Sequence, residues 1–237
     1  MKALFFGSIG AVAETSDIQR QAYNQALQEA GLDWHWDEDT YRQLLGFSGG
    51  LSRLDLLGKA CGIELSEETM AQIHSRKTEL ACAAIRENGL EARPGVIESL
   101  KAAKEGGLRV AWVTSTSRDN VEAILDGIGS NLDPSSFDKI FIRKDCSEGK
   151  PSPKIYQKAL KEFRLEAREA IAVEDSLPSV LSAKRAGVYT IATPGAFHDE
   201  DLVGIADRVE KDLTFLPEQI AQCVAAMAGA GHAASQI

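Results

Sequence analysis

Short apolar runs that alternate with helix-forming stretches constrain the fold of this chain more than any other feature of its sequence. The runs are rich in β-branched and aromatic residues, and helical patterns separate them from one another. They lie at residues 3–6, 109–114, 139–142, 170–173 and 188–192. Strands that alternate with helices form parallel sheets whose two faces are both covered by helices. The sequence therefore predicts an α/β fold built on a parallel sheet.

The stretch between the first and second apolar runs has a different character, because it contains helical patterns and no strand pattern. Apolar residues recur at helical spacing over residues 16–30, which a glycine follows, and over residues 66–88, which a serine at the first position can cap. We therefore expect a core domain made of residues 1–13 and 93–237, interrupted by a helical domain of residues 14–92. The last ten or so residues are predicted to be frayed.

Composition excludes several classes of partner. The 237 residues carry a net charge of −9 and form no basic stripe, so a nucleic-acid partner is not expected. No apolar run approaches the roughly 20 residues that span a bilayer, and no secretory signal pattern is visible at residue 1. The four cysteines are widely spaced, which favours reduced thiols over a disulfide or a zinc site. We expect a cytoplasmic protein that binds neither nucleic acid nor membrane.

Polar clusters follow three of the predicted strands at the point where each strand ends. Thr114 and Ser115 begin a run of hydroxyl residues, Lys150 precedes a predicted helix, and Glu174 and Asp175 follow the fourth apolar run. Ligands of parallel α/β sheets bind at the carboxyl ends of the strands. Hydroxyl groups and an ammonium suit phosphate oxygens, and carboxylates suit Mg²⁺. The three clusters together predict a phosphate site beside a divalent cation.

Each cluster, taken alone, also fits a simpler structural role. The hydroxyl residues can cap a helix, Lys150 can be a surface lysine, and Glu174 with Asp175 can be an acidic pair at a helix N-terminus. The occurrence of all three clusters at the ends of predicted strands favours the phosphate site.

The first apolar run ends in a stretch, residues 7–10, that carries no catalytic chemistry. Gly7, Ile9 and Gly10 offer no carboxylate, thiol, amine or imidazole, and Ser8 is the single hydroxyl. A strand that ends in such glycines also suggests a dinucleotide-binding turn. The third glycine of that motif is absent, because Val12 stands at its position.

The polar clusters resemble three motifs of the haloacid dehalogenase superfamily, and in particular of the β-phosphoglucomutase and CbbY-like sugar-phosphate phosphatases with an α-helical cap. In this resemblance, which covers residues 1 to about 215, Thr114 and Lys150 would bind phosphate, and Asp175 with Glu174 would bind metal. Arg53, in a glycine-containing loop of the helical domain, would reach a distal phosphate. The resemblance implies a Rossmann-like parallel sheet with an inserted helical cap, and Mg²⁺ as the cofactor of the family.

The family's first motif, D-x-D-G-T, is lost in this chain. Its register places Gly7 at the nucleophile and Ile9 at the general acid/base, while Ala11 replaces the threonine. A Mg²⁺ ion would keep Asp175 and the backbone carbonyl of Ile9 as ligands but would lose one charged ligand. We therefore expect weak or absent metal binding.

Two hypotheses about function follow from the missing motif. In the first, the chain is a pseudoenzyme without aspartyl-phosphate chemistry, which binds a small phosphorylated metabolite or a protein partner through Thr114, Lys150 and Arg53. In the second, it is a Mg²⁺-dependent phosphatase with rearranged catalytic groups. Loss of a nucleophile commonly lowers kcat by about 10⁴ to 10⁶, which favours the first hypothesis.

Overall fold

The computed structural model describes residues 1–47, 49–197 and 202–234. Six strands form one sheet, in the order β3-β2-β1-β4-β5-β6, and every neighbouring pair is parallel. The strands are β1 (Ala3–Phe6), β2 (Arg109–Val113), β3 (Lys139–Phe141), β4 (Ala170–Glu174), β5 (Tyr189–Ala192) and β6 (Arg208–Val209). This is the strand order of a Rossmann-like fold, so the predicted α/β class is confirmed.

Strand β1 lies at the centre of the sheet, between β2 and β4. All four of its side chains are fully buried, and Phe6 is in register with Trp112 on one side and Val173 on the other. Successive side chains of a strand point to opposite faces. Leu4 and Phe6 therefore pack into one hydrophobic cluster, and Phe5 packs into another on the opposite face.

Helices cover both faces of the sheet, because the side chains on both faces of its strands are apolar and need to be buried. The helices are α1 (Ser16–Glu29), α2 (Glu38–Leu45), α3 (Gly50–Ala60), α4 (Glu67–Asn88), α5 (Val96–Glu105), α6 (Arg118–Ile128), α7 (Lys154–Phe163), α8 (Leu177–Arg185) and α9 (Leu216–Ala234). Helices α5, α6 and α9 pack with Leu4 and Phe6, whereas α7 and α8 pack with Phe5. No helix in the described ranges is both long and apolar enough to cross a membrane.

Helices α1 to α4 lie between β1 and α5 and form a helical insert with a core of its own. That core is centred on aromatic rings, with the Tyr23 and Trp36 centroids 4.3 Å apart and Tyr41 stacked 6.0 Å from Trp36. Phe197, from the segment after β5, packs edge-on against Tyr41. The insert therefore contacts the core domain beyond its two connecting segments.

Arg93 lies in the segment that leads from the insert back to the core domain, and its side chain contacts three parts of that domain. Its guanidinium donates to the carbonyl oxygens of Gly10 (3.1 Å), Thr193 (2.5 Å) and Pro194 (3.1 Å), and to that of Lys211 (3.2 Å). These hydrogen bonds hold the loop after β1 against the end of β5. The loop that follows β1 is thus held in place by a hydrogen bond to the carbonyl oxygen of Gly10.

The structure differs from the sequence-based expectations near the C-terminus. Strand β6 follows β5, and it escaped prediction because it contains only Arg208 and Val209 and has no apolar run. Helix α9 continues to Ala234, so residues up to that point are helical rather than frayed. The last residues of the predicted frayed tail, 235–237, lie outside the described part of the chain.

Candidate active site

The ends of β1, β2 and β4 bring the predicted site residues to one edge of the sheet. A cavity of about 590 Å³ lies between this edge and the helical insert. From the sheet, its wall includes Ile9, Thr114, Ser115, Lys150 and Asp175. Arg53 borders it from the insert. Glu174 is fully buried behind this wall and does not line the cavity.

Glu174 is held by two hydrogen bonds to the same carboxylate oxygen. The Lys150 ammonium donates to Glu174 Oε1 at 2.6 Å, and the Tyr156 hydroxyl donates to that oxygen at 2.6 Å. Lys150 is itself only 4% exposed. Burial raises the pKa of Glu174, and the Lys150 ammonium opposes that rise. Burial, and then the neighbouring Glu174 carboxylate, raise the pKa of the Tyr156 hydroxyl well above its usual value.

The Glu174 side chain occupies the space above Gly7. A β-carbon at Gly7 would overlap the Glu174 carboxylate, and a β-carbon at Gly10 would overlap Oδ2 of Asp175. Side chains on β4 and just after it therefore fill the volume that side chains at residues 7 and 10 would need. The glycines at positions 7 and 10 are thus matched by the packing around them.

The donor set at this edge does not fit a resident Mg²⁺ ion. The Ile9 carbonyl already accepts hydrogen bonds from the backbone N–H groups of Val12 and Ala13, both at 3.0 Å, and these use its two lone pairs. Glu174 is paired with the Lys150 ammonium, which already supplies this carboxylate with the positive charge that a Mg²⁺ ion would bring. Within the described ranges, no three His, Cys, Asp or Glu side chains converge on a possible metal position.

Two carboxylate oxygens at the site nevertheless have no hydrogen-bond partner. They are Glu174 Oε2 and Asp175 Oδ1. Both of these oxygens are buried, but Asp175 as a residue is 7% exposed and lines the cavity, so its carboxylate is the one of the two that borders the cavity.

Of the hydroxyl residues after β2, Thr114 and Ser115 leave their hydroxyl protons free towards the cavity, whereas Ser117 caps a helix. Thr114 is buried, and its Oγ1 accepts from the Thr116 backbone N–H at 3.3 Å, while Ser115 Oγ accepts from the Lys150 backbone N–H at 3.3 Å. Both hydroxyl protons stay available to a ligand. Ser117 accepts from the Asn120 backbone N–H and caps α6, so the helix-cap interpretation is correct for this residue.

Arg53 has a structural role in the insert as well as a place in the cavity wall. Its Nε donates to the carbonyl oxygens of Leu44 and Phe47, both at 3.0 Å, which ties the end of α2 to α3. The predicted contact of Arg53 with a distal phosphate stays a prediction.

Sequence reasoning missed most of the cavity residues on the insert, among them Gln19 and Tyr23 on α1, and His74 and Lys77 on α4. Lys77 is the most unusual, because it is only 7% exposed and donates a hydrogen bond to Gln19 Oε1. One signal was present in the sequence. Lys77 lies four residues from both Ile73 and Ala81, on the apolar face of α4.

The cavity is rich in positive charge, although the chain as a whole is acidic. The basic side chains along its wall are Arg53, Lys77, Arg118, Arg143, Lys144 and Lys150, and the carboxylates along it are Asp119 and Asp175. Such a concentration of one sign of charge attracts anions from solution. The geometry therefore fits a ligand with more than one negative group.

Comparison with known sequences agrees with the fold and with this geometry. The family model described as haloacid dehalogenase-like hydrolase matches residues 10–193. Protein CbbY of Cereibacter sphaeroides is 35% identical over 209 residues, which cover 88% of this chain and 91% of that protein. Protein CbbY of Rhodobacter capsulatus is 34% identical and covers 90% of this chain and 94% of its own.

Solved structures show the same relationship. A crystal structure of CbbY from Rhodobacter sphaeroides in complex with xylulose-(1,5)bisphosphate has a TM-score of 0.83 at 34% identity, and the match covers 90% of this chain and 95% of that one. A β-phosphoglucomutase from Clostridium difficile, 19% identical, has a TM-score of 0.77 over 94% and 96% of the two chains and shows the fold alone. The chain belongs to the haloacid dehalogenase-like hydrolases and, within them, to the CbbY-like group.

Proposed function

We propose that this protein binds a phosphorylated sugar in the cavity and does not transfer its phosphoryl group. The observation that carries the proposal is the buried Glu174 carboxylate in the space above Gly7. Phosphoryl transfer through a covalent intermediate needs a nucleophile that reaches phosphorus. Gly7 has no such group, and Glu174 is fully buried and held by Lys150 and Tyr156.

Binding does not need the missing nucleophile. Thr114 and Ser115 offer hydroxyl protons at the sheet edge, and Arg53 brings positive charge from the opposite wall. A volume of about 590 Å³ is within the usual range for small-molecule sites. Phosphate-binding chemistry on two sides of one cavity favours a ligand with two acidic groups.

The ligand of the CbbY relative supplies a specific candidate. Xylulose-(1,5)bisphosphate carries phosphate at both ends. Since its C5 oxygen is esterified, the sugar cannot close a ring through that oxygen and keeps a free ketone. We propose an open-chain ketose bisphosphate of this kind as the ligand class of the present cavity.

Two measurements test the proposal. Isothermal titration calorimetry with xylulose-(1,5)bisphosphate in EDTA is expected to show binding that weakens as salt is added. Thr114→Val should weaken binding by about 10-fold or more, because a hydrogen bond to a charged group contributes roughly 1.5–3 kcal/mol. The matched control Thr40→Val, on α2, should leave the affinity unchanged.

Phosphate release measured with Mg²⁺ over a panel of sugar phosphates is expected to stay at the level of the Thr114→Val variant. Turnover clearly above that level would overturn the proposal and favour a phosphatase with rearranged groups, in which Asp175 would be the carboxylate at the sheet edge that borders the cavity. The triple variant Gly7→Asp, Ile9→Asp and Glu174→Ala, which also clears the space that an aspartate at position 7 needs, is expected to gain Mg²⁺-dependent phosphate release. No gain would mean that the rest of the site has diverged as well.

A further inference from the structure

Lys77 is a buried amine at the cavity wall, and the described part of the chain provides no counter-ion for it. It projects from α4 and donates to Gln19 Oε1 on α1, and its Nζ lies 4.7 Å from the centroid of the Tyr23 ring. Among the described residues, no carboxylate lies within ion-pair distance of Lys77. A lysine in such a place is unusual, because buried charges are ordinarily paired.

Most of the groups around Lys77 favour its neutral form, although α6, which also packs against α4, brings the carboxylate of Asp119 as well as the guanidinium of Arg118 to the same cavity. Helix α1 presents the uncharged Gln19 and Tyr23, α3 presents the guanidinium of Arg53, and α4 itself presents His74. Burial and the charge of Arg53 lower the pKa of Lys77 to about 7, with a small opposing effect from Cys82. Burial lowers the pKa of His74 to about 4, so its ring is neutral at pH 7.

A neutral amine has a lone pair, and desolvation beside another cation is a recognised way to activate a lysine as a nucleophile. An amine that served only to hold a phosphate would need its proton, which this environment disfavours. The positive charge at this end of the cavity is already supplied by Arg53. The free amine therefore fits an electrophile better than it fits an anion.

We propose that Lys77 forms a reversible imine with the ketone of a phosphorylated sugar bound in the cavity. The amine nitrogen adds to the carbonyl carbon to give a carbinolamine. The carbinolamine then loses the former ketone oxygen together with the two amine protons as water, which leaves a carbon–nitrogen double bond. No oxidant, reductant or metal is consumed. This inference rests on the proposed function, since it needs an open-chain ketose phosphate in the cavity.

Reductive trapping tests the imine directly. The protein is incubated with xylulose-(1,5)bisphosphate and sodium cyanoborohydride, and its mass is measured intact and after digestion. The expected result is a single adduct on Lys77 whose mass equals that of the sugar bisphosphate less one oxygen. The yield is expected to rise with pH and to be half-maximal near pH 7, where the amine loses its proton.

Three controls separate the imine from nonspecific amination. Lys77→Arg keeps a long basic side chain that cannot form the imine and should lose the adduct, and Lys77→Met should lose it as well; calorimetry shows for each variant whether the sugar still binds. Lys101→Met, which removes an exposed lysine on α5, should form the adduct as the wild type does. The pentitol bisphosphate, made by prior reduction of the ketose with borohydride, should bind and give no adduct.

The outcomes distinguish this inference from the proposed function. Binding of both the ketose and the pentitol without any adduct would overturn the imine and leave the binding function standing. An adduct that persists in Lys77→Arg would also overturn it, because the reacting amine would then lie elsewhere. Failure of both ligands to bind by calorimetry would overturn the proposed function and the imine together.

Discussion

The position of Glu174 above Gly7 predicts that the carboxylate partner of Lys150 can be moved from residue 174 to residue 7. Glu174→Ala alone would leave the Lys150 ammonium buried and unpaired, which costs about 3–5 kcal/mol. Gly7→Asp alone would drive the Glu174 carboxylate out of its space and away from Lys150 and Tyr156. We expect a cost of similar size, about 3–5 kcal/mol, for that change.

In the double variant each change removes the problem that the other creates. Asp at position 7 meets no glutamate side chain, and Lys150 regains a carboxylate. If the two costs simply added, the loss would be about 6–10 kcal/mol, as large as the whole stability of many domains. We expect instead that Gly7→Asp with Glu174→Ala is more stable than either single variant, with a coupling energy of about 3 kcal/mol or more.

Urea unfolding, followed by tryptophan fluorescence and circular dichroism, measures the four free energies of unfolding in this cycle. A matched cycle uses Glu169→Ala, which removes a partly exposed carboxylate paired with Lys2 at the opposite end of β4, and there the costs with Gly7→Asp should add. Additivity within about 0.5 kcal/mol in the first cycle would refute the idea that the two positions share one volume and one partner.

Three further predictions test other parts of the structure by the same unfolding assay. Lys77→Met should stabilise the protein by on the order of 2 kcal/mol at pH 7, because the lowered pKa of Lys77 means that the unfolded chain binds its proton more tightly. The gain should be full below pH 7 and should shrink as the pH rises from 7 towards 10.5, where the unfolded lysine also loses its proton. Tyr156→Phe should cost about 1.5–3 kcal/mol, since it removes a hydrogen bond to a buried carboxylate; a cost near zero would contradict this. Gly95→Ala should lower the free energy of unfolding clearly more than Gly107→Ala does. Both glycines have positive φ, but a β-carbon at Gly95 would overlap the backbone of Leu213, whereas one at Gly107 meets open space. Equal losses would show that the overlap relaxes.

The sequence predicted those parts of the fold that local patterns determine. Strands β1 to β5 are apolar runs, and Ser66 and Ser117 cap α4 and α6 as their positions indicate. Strand β6 could not be found in this way, because two residues carry no period and their pairing with β5 is a tertiary contact.

The sequence predicted which residues lie at the sheet edge of the site, but not which of them contact one another. The order of strands brings Thr114, Lys150 and Asp175 to one edge, as their positions after apolar runs indicate. Which polar side chain fills the space left by a glycine depends on packing in three dimensions. The pairing of Glu174 with Lys150 and Tyr156 could therefore not be predicted from the sequence. The same holds for the lack of a counter-ion for Lys77 among the described residues.

The central place of β1 in the sheet also has a consequence for synthesis on the ribosome. Strand β1 emerges before the other strands of the sheet, yet its neighbour β4 is complete only when Glu174 has been added. At about 5–20 residues per second, Phe5 and Phe6 wait on the order of 10 s for the strand that buries them. The helical insert emerges in the meantime, and most of its aromatic cluster comes from its own residues. The order of synthesis thus lets the insert fold before the neighbouring strands pair with β1.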